Sequence, residues 1–377
     1  MATPPLIALD LGSTKIGCVI ALPSDEAPGY HVVGHSLTPY SGALPTWPQD
    51  PLAVGRTIEQ ALAATGFGGE LIDAHVALSH PALHSETIQA AITLADEPIS
   101  VRRQDLDRLA RVALTQALGV DRDALVMERL GCSGNGFDDV RDPRGLPATR
   151  LVGRFRIVTV PSAVRRAAIQ AVECAGLDVA RLTYSLIADA AGSEANPETG
   201  RLLLVDIGGL NTDLGLFVEG VLEASQTIPW GGTVLATALA RTMRVTQEQA
   251  ERLSLEGLGS HRDEVREHVN AGLTQLQEAL ETLLAGQPLP DRAICAGRGC
   301  LIDGVVEWVE RTTGVNTTLG RTPRLQGMGD LADQVGLTTA MGLLEVACAT
   351  TARAAGPPVG LAARVIERTK FLLAEYF

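Results

Sequence analysis

The hydrophobic pattern of the chain contains one arrangement twice, at widely separated positions. In LIALDLGSTKIGCVIAL (residues 6–22) a short apolar run ends at an aspartate, a turn of glycine and small hydroxyl residues follows, and a second apolar run begins. The segment LLLVDIGGLNTDLGLFV (202–218) repeats this order. Apolar runs of this length between turn residues indicate buried strands. Each segment therefore predicts a β-hairpin.

The elements after each hairpin also correspond. A third strand and a helix follow in both copies, at 31–37 and 51–66 in the first and at 221–229 and 233–245 in the second. The spacing between the copies is far longer than the roughly 20–50 residues of solenoid repeats. We therefore predict two homologous halves with a cleft between them, in the α/β class.

A stretch without a counterpart lies between the two copies. Residues 83–118 predict strands followed by a helix, and Ser100 is the expected helix start. Residues 146–161 predict further strands, and the segment 134–145 predicts a turn-rich loop. Together these elements predict a small α+β insertion over about 80–159.

The remaining segments complete the prediction. The expected elements are a short strand at 74–79, helices at 161–176, 248–286 and 335–352, a strand, glycine turn and helix over 291–314, a linker at 353–360 and a last helix at 361–377. The helical stretch 248–286 is interrupted near 257–260. The glycine turn is AGRG, residues 296–299.

Composition narrows the classes of function. The chain is 46% apolar and 20% charged, which is typical of a folded protein. Its net charge of −13 makes it a poor general binder of nucleic acid, because it cannot neutralise a phosphate backbone broadly. The six cysteines form no Cys-x-x-Cys pair, so neither zinc nor a disulfide framework is expected. The sequence also has no signal-peptide pattern and no 18-residue apolar stretch, so we expect a cytoplasmic protein.

The paired hairpins have the residues that nucleotide phosphates need. Glycines let the backbone approach an anion, and successive amides can cradle it. An ionised aspartate only accepts hydrogen bonds, so Asp10 and Asp206 are expected to act through a magnesium ion or its waters. Lys15 could place a positive charge on a phosphate. One such hairpin alone is more often an ordinary turn, but two hairpins and a third glycine turn are much more specific.

Three glycine turns in this order resemble the actin-like ATPase superfamily. Within it, DLGSTK, VDIGG, IPWGGTVLATALARTM and ICAGRGCLIDGVVEWV resemble the bacterial cell-division protein FtsA. The block VALSHPALHSETIQAAITLADEPISVRRQDLDRLARVA is similar to the FtsA subdomain called 1C. The resemblance covers nearly the whole chain. It implies an α/β actin-like fold of two domains, built from duplicated ribonuclease-H-like halves, with an FtsA-type 1C insertion.

The resemblance also implies boundaries for the subdomains. The expected division is 1–79 and 160–190 for subdomain 1A, 80–159 for 1C, 191–218 and 290–345 for 2A, and 219–289 for 2B. Residues 346–360 are expected to form a linker, made of a helix end that returns to 1A and then a Gly/Pro tether, and 361–377 an amphipathic membrane-targeting helix.

Site residues follow from the same resemblance. Asp10 and Asp206 would organise magnesium, and no catalytic residue is expected. The implied ATP-binding residues are Gly12, Ser13, Thr14 and Lys15 in the first phosphate loop, Gly208, Gly209, Asn211 and Thr212 in the second, Gly232 ahead of the following helix, Gln249 and Arg252 near the nucleoside, and Gly297, Arg298 and Gly299 in the adenosine loop.

The chain departs from the family pattern at several of these positions. Leu210 replaces a glycine and Asn211 replaces a threonine in the second loop, and Arg298 replaces a glycine in the third. A side chain at 210 hinders close backbone approach, and Arg298 could stack on adenine or fill its site. Gln249 and Arg252 stand where the family often has Glu and Lys. We therefore expect ATP binding with weak or absent hydrolysis.

Residues 361–377 form an amphipathic pattern after a Gly-Pro-Pro sequence. From the residues alone, such a helix could lie in a membrane interface or pack on a protein surface. FtsA proteins end in a membrane-targeting helix, so the resemblance favours the membrane. The residues expected to insert are Val365, Ile366, Leu372, Leu373, Tyr376 and Phe377.

The resemblance implies an adaptor protein rather than a metabolic enzyme. An FtsA-like protein binds ATP and polymerises, with subdomain 1C of one protomer contacting the next protomer. Its subdomain 2B binds the tail of FtsZ, so that FtsZ is anchored, together with other division proteins, to the inner face of the cell membrane at the division site. Two alternatives stay open: an adaptor of pilus assembly of the PilM type, and a sugar kinase of the same superfamily.

Overall fold

The computed structural model describes residues 4–24, 29–40, 50–193, 200–256, 262–322 and 330–355. Within these ranges the first five-stranded sheet has the order β11-β4-β1-β2-β3. Its strands are β1 (Leu6–Leu11), β2 (Lys15–Pro23), β3 (Tyr30–Pro39), β4 (Asp73–Leu78) and β11 (Asp178–Tyr184). Strands β1, β2 and β3 are antiparallel neighbours, whereas β4 runs parallel to β1 and to β11.

A second five-stranded sheet repeats this arrangement. Its strands are β12 (Arg201–Ile207), β13 (Thr212–Val218), β14 (Val221–Ile228), β15 (Arg292–Ala296) and β16 (Thr317–Leu319). The order β14-β13-β12-β15-β16 matches the first sheet, with the hairpin at one side and the parallel strands at the other. The duplication expected from the hydrophobic pattern is therefore present in the fold.

Helices cover both faces of the first sheet. Ile7, Leu9 and Leu11 belong to a core that also includes residues of α1 (Pro51–Ala64) and α3 (Ser162–Cys174). Ala8, on the opposite face, packs with residues of α4 (Ser185–Gly192) and α10 (Thr338–Ala355). Because side chains alternate along a strand, Asp10 lies on the same face as Ala8, toward α4 and α10.

Asp206 takes the corresponding place in the second sheet. Leu203, Val205 and Ile207 pack with the helices α5 (Gly232–Met243), α7 (Arg262–Leu284) and α8 (Val305–Thr313). Alternation turns Asp206 to the other face, and α4 contacts strands of both sheets on that side. Two shorter helices, α6 (Gln247–Glu256) and α9 (Leu331–Gly336), complete this half.

The insertion forms a small domain of its own. Its elements are β5 (His84–Thr93), β6 (Ile99–Ser100), α2 (Arg103–Ala117), β7 (Arg122–Gly134), β8 (Phe137–Val140), β9 (Pro147–Ala148) and β10 (Arg150–Pro161). A four-stranded sheet of order β5-β10-β7-β8 packs against α2, with Leu109, Phe155 and Ile157 in the shared core.

The insertion also contacts the hairpin β13–β14 of the second half. The Arg156 guanidinium Nε donates to the Glu223 carbonyl at 2.7 Å, and Arg141 donates to the Val218 carbonyl at 3.2 Å. Arg141 also lies 3.3 Å from the Glu219 carboxylate. The insertion is thus packed against the strand β14, which would otherwise be an edge of its sheet.

Some boundaries differ from the sequence expectations. Ser100 lies in β6, and α2 begins three residues later because the Asp105 carboxylate caps the Arg102 amide at 3.0 Å. The expected loop at 134–145 contains β8, and the first residues of the expected linker, 353–355, belong to α10. Strand β11 and helix α4 were not expected at all.

The segment expected to bind a membrane is described by its sequence alone. Residues 361–377, including every residue expected to insert into a membrane, lie outside the described part of the chain. Among the helices that the structure describes, none is long and apolar enough to cross a membrane.

Candidate functional site

The turns of the two hairpins meet. The first turn joins β1 to β2 through Gly12, Ser13 and Thr14, and the second joins β12 to β13. The Leu210 amide of the second turn donates to the Ser13 hydroxyl at 3.0 Å. A side chain at Gly209 would collide with Thr14, so glycine is required for this close approach. The two loops therefore form one continuous surface.

A cavity of about 200 Å³ opens beside these turns. It lies between the two halves, because both hairpins contribute to its wall. The sequence-predicted residues that line it are Asp10, Gly12, Ser13, Thr14, Lys15, Asp206, Gly208, Gly209, Asn211, Gly232, Gly297, Arg298 and Gly299. The structure thus brings both candidate magnesium residues and all three glycine turns to one place.

Three predicted residues do not line this cavity. Thr212 is fully buried, and its hydroxyl donates to the Trp230 carbonyl at 2.8 Å. Gln249 is exposed, and its side chain caps the start of α6 by accepting from the Thr246 amide at 3.0 Å. Arg252 is also exposed on α6. That these three residues contact a nucleotide stays a prediction from the family resemblance.

Other residues of α6 face the cavity instead. Glu251 and Ser254 line it, and they are three positions apart, so they share a face of the helix. Thr246 and Gln249 form a reciprocal capping pair, because the Gln249 amide also donates to the Thr246 hydroxyl at 3.2 Å. This capping pair fixes where α6 begins. Recognising it in the sequence would have placed Glu251 and Ser254 on the inner face.

The third glycine turn packs closely against Asp206, the aspartate of the second hairpin. Gly297 has φ +77°, a left-handed conformation that favours glycine, and a Cβ there would overlap the Asp206 carboxylate. A Cβ at Gly299 would overlap the Ile207 side chain. These two glycines are required by the close packing of the third turn on the end of β12.

The second loop is held by the start of α5. The Gly232 amide donates to the Gly208 carbonyl at 2.9 Å, and the Thr233 amide donates to the Gly209 carbonyl at 2.8 Å. The first amides of this helix are thus used to position the loop. Gly231, just before them, packs directly against the same carbonyls.

Three buried carboxyl groups line the cavity, and a fourth, that of Asp189, interacts electrostatically with them. Burial, followed by the charges of Asp213 and Asp10, raises the pKa of Asp206 to about 8. Burial likewise raises the pKa of Asp10 and of Asp213, and it raises that of Asp189 well above its ordinary value. Asp189, in α4, accepts from the Thr339 hydroxyl at 2.6 Å. The sequence offered no signal for Asp189, which lies inside an apolar helix.

Two cationic side chains accompany these acids. The Lys15 ammonium donates to the Gly336 carbonyl at 3.0 Å, and burial lowers the Lys15 pKa while Asp10 opposes that shift. Arg298, which belongs to the second half, packs along Gly336. Its Nε is buried and has no hydrogen-bond partner among the residues that the structure describes. Both cations therefore meet at the junction of α9 and α10.

The donor set suits a magnesium nucleotide. Among the described residues, no group of three or more His, Cys, Asp or Glu side chains is arranged to hold a metal by itself. Magnesium in nucleotide sites normally takes only one or two carboxylates and completes its shell with water and phosphate. Buried acids with raised pKa values lack countercharge when ionised, and a divalent cation near Asp10 and Asp206 would supply it.

Comparison with known proteins agrees with this geometry. A family model described as "Cell division protein FtsA" matches residues 203–342. The FtsA of Neisseria meningitidis serogroup B is 23% identical over 374 residues, with 90% of this chain and 89% of that protein covered. The FtsA of Escherichia coli K12 is 20% identical over 381 residues, with the same coverage. The chain is thus similar to FtsA cell-division proteins over most of its length.

Solved structures show the fold. The PilM of a PilM–PilN type IV pilus biogenesis complex superposes with a TM-score of 0.68 at 16% identity, covering 93% of this chain and 99% of that one. MreB 5 of Spiroplasma citri, bound to AMPPNP, superposes with a TM-score of 0.53 at 13% identity, covering 94% and 99%. The fold of this chain is therefore actin-like, as the sequence predicted.

Proposed function

We propose that this FtsA relative binds ATP with magnesium in the cleft between its halves. The observation that carries the proposal is the convergence of two equivalent strand–aspartate–glycine turns on one cavity. A triphosphate between them would receive backbone amides from both loops. Relatives of this fold include one solved with the ATP analogue AMPPNP, which supports the choice of nucleotide.

Each group of residues in the cavity would bind a different part of the magnesium nucleotide. Asp10 and Asp206 would hold magnesium or its waters, and the bound ion would neutralise phosphate charge. Gly12–Thr14 and Gly208–Gly209 would offer amides to phosphate oxygens. Glu251 and Ser254 would receive the ribose end, since a carboxylate and a hydroxyl can both accept from sugar hydroxyls. With Leu210 and Asn211 in the second loop, we expect slow turnover and a role for ATP in assembly.

The cellular role that we propose is the anchoring of FtsZ filaments at the inner face of the cytoplasmic membrane during division. The region 219–289 would bind the FtsZ tail, and the insertion 80–159 would meet the next protomer of a filament. Residues 361–377 would bind the membrane. Polymerisation would join many weak membrane contacts into an avid one. The FtsA relatives support this assignment.

The test is binding of the full chain to a peptide with the C-terminal sequence of FtsZ, measured by fluorescence anisotropy with and without Mg-ATP. We expect saturable binding by the full chain. As a matched control, a peptide of the same composition in scrambled order should not bind. Absence of binding to the FtsZ peptide under both conditions would contradict the proposal.

One structural observation favours a second candidate. The overlap with PilM is extensive, with 99% of that chain covered. A PilM-like protein would bind a short peptide from a pilus membrane protein rather than an FtsZ tail. The same anisotropy assay with a PilN N-terminal peptide separates the two functions, and binding to that peptide alone would reverse our choice.

A further inference from the structure

The second loop differs from the family pattern at Leu210 and Asn211, and both residues make contacts across the cleft. The Leu210 amide donates to Ser13, and the Asn211 side-chain amide donates to the Ser79 hydroxyl at 3.0 Å. Ser13 and Ser79 belong to the first half, at the ends of β1 and β4. The second loop is therefore held to the opposite half by one main-chain and one side-chain hydrogen bond.

Ser79 connects this contact to the buried core of the site. Its hydroxyl also lies near the Asp213 carboxyl group, where it partly opposes the rise in the pKa of Asp213 that burial causes. A serine hydroxyl has one donor and two acceptor positions, so it can accept from Asn211 and still direct its proton toward Asp213. Asn211 is 8% exposed and Asp213 is 1% exposed, so water competes weakly with these contacts.

Asp213 is in turn fixed by its own half and by the last residue of β11 in the first half. The Tyr184 hydroxyl donates to it at 2.9 Å, and the Thr227 hydroxyl of β14 donates to the same oxygen. The contact between Asn211 and Ser79 thus lies beside a rigid, fully packed group of side chains. A contact between two mobile surface groups would not constrain the cleft in this way.

We propose that Ser79 and Asn211 form a clasp that positions the second loop against the first half and keeps the cleft closed before nucleotide binds. The consequence for ATP rests on the proposed function. A ligand that needs the closed cleft binds more tightly when that state is already populated, and its release requires the clasp to open. Ser79 and Asn211 act here as positioning residues, through the loop that they hold.

The closed state can be measured without nucleotide. Spin labels on Cys174, which is exposed on α3, and on Glu307→Cys, which is exposed on α8, report the separation of the halves. Cys348 is replaced by Ser in this background. We expect a single narrow distance distribution for the otherwise unchanged protein. Asn211→Ala and Ser79→Ala should both broaden it toward longer distances.

Two variants separate the clasp from a general loss of stability. Ser79→Thr keeps the hydroxyl and should restore the narrow distribution. Ser36→Ala removes a buried hydroxyl that donates to the Ala61 carbonyl at 2.7 Å within the first half, and it should leave the distance unchanged. The proposal is overturned if the nucleotide-free parent is already as broad as Asn211→Ala, or if neither clasp variant changes the distribution.

A second readout concerns nucleotide release. Loss of one buried neutral hydrogen bond should speed the dissociation of a fluorescent ATP analogue by about two- to tenfold in Asn211→Ala. An unchanged rate would count against the clasp. If the parent protein binds no nucleotide at all, the proposed function fails, whereas the distance measurement still decides whether the clasp exists.

Discussion

The Leu210 amide donates a hydrogen bond to the Ser13 hydroxyl over 3.0 Å, and this contact joins the tips of two hairpins from different sheets. Each hairpin carries a buried aspartate at the end of its first strand, and the charges of Asp10 and Asp206 influence each other. Closing the cleft in this way therefore concentrates negative charge, which has a measurable consequence for stability.

We predict that the free energy of unfolding falls as the pH rises toward 8 in the absence of nucleotide and magnesium. The pKa of Asp206 is about 8 in the folded protein against 3.8 ordinarily, so between these values the folded state holds a proton that the unfolded chain lacks. That stabilisation is complete at low pH and is lost as the pH rises through the folded value. The loss should be about 1 kcal/mol between about pH 7 and pH 8.5.

Urea denaturation with a chelator present checks this decline. Asp206→Asn should make it shallower, because the amide does not titrate while the other buried acids still do, and the exposed Asp73→Asn should leave it unchanged. The window begins near pH 7 because His75, whose pKa burial lowers to about 4, is then mostly neutral whether folded or unfolded. An equally steep decline in Asp206→Asn would show that Asp206 does not contribute to it.

Gly297→Ala should destabilise the protein more than Gly304→Ala. Both glycines have positive φ, +77° and +85°, so both variants incur backbone strain of about 1 kcal/mol or more. At Gly304 the added Cβ meets open space, whereas at Gly297 it overlaps the Asp206 carboxylate. Thermal unfolding measures the difference. Equal losses in the two variants would mean that the third turn is not packed on Asp206 as described.

Glu251→Ala and Gln249→Ala should separate binding from stability. Glu251 lines the cavity, so its loss should weaken ATP binding several-fold in calorimetry. Gln249 caps α6, so its loss should cost about 1 kcal/mol of stability and leave the affinity nearly unchanged. The reverse result, with affinity lost at Gln249, would show that Gln249 contacts the nucleotide, as the family resemblance implies.

The sequence was sufficient to predict the duplicated architecture, but it did not predict every residue that lines the cavity. Asp10 and Asp206 could be found because each ends an apolar run two positions before a glycine. Glu251 was missed because a helix shows several possible inner faces until its cap is located. Asp189 was missed because it lies in an apolar helix, and no sequence pattern shows that its carboxyl group interacts electrostatically with three acids far away along the chain.

The contacts across the cleft depend on tertiary structure in the same way. Ser79 follows β4 like any residue at the end of a strand, and only the fold places its hydroxyl 3.0 Å from the Asn211 amide. Asn211 was recognised as a departure from the family pattern. Its partner could not be, because the two residues are separated by 132 positions.

Removal of residues 361–377 should abolish co-sedimentation with lipid vesicles. The sequence pattern indicates that apolar burial dominates, so Leu372→Glu should act like the deletion, whereas Arg364→Gln should have a smaller effect. Raising the salt concentration should weaken binding only slightly. If the shortened chain still pellets with vesicles, another part of the protein binds the membrane.

The most direct test of the nucleotide site is a calorimetric titration of ATP into the full chain, with and without magnesium. We predict one site per chain whose affinity depends on magnesium. Asp10→Ala and Asp206→Ala should each lower that affinity by about 10- to 100-fold, because both would hold the metal or its waters under the proposed function. No binding by the parent chain, or binding that neither substitution weakens, would contradict the central claim that the two hairpins form one magnesium–ATP site.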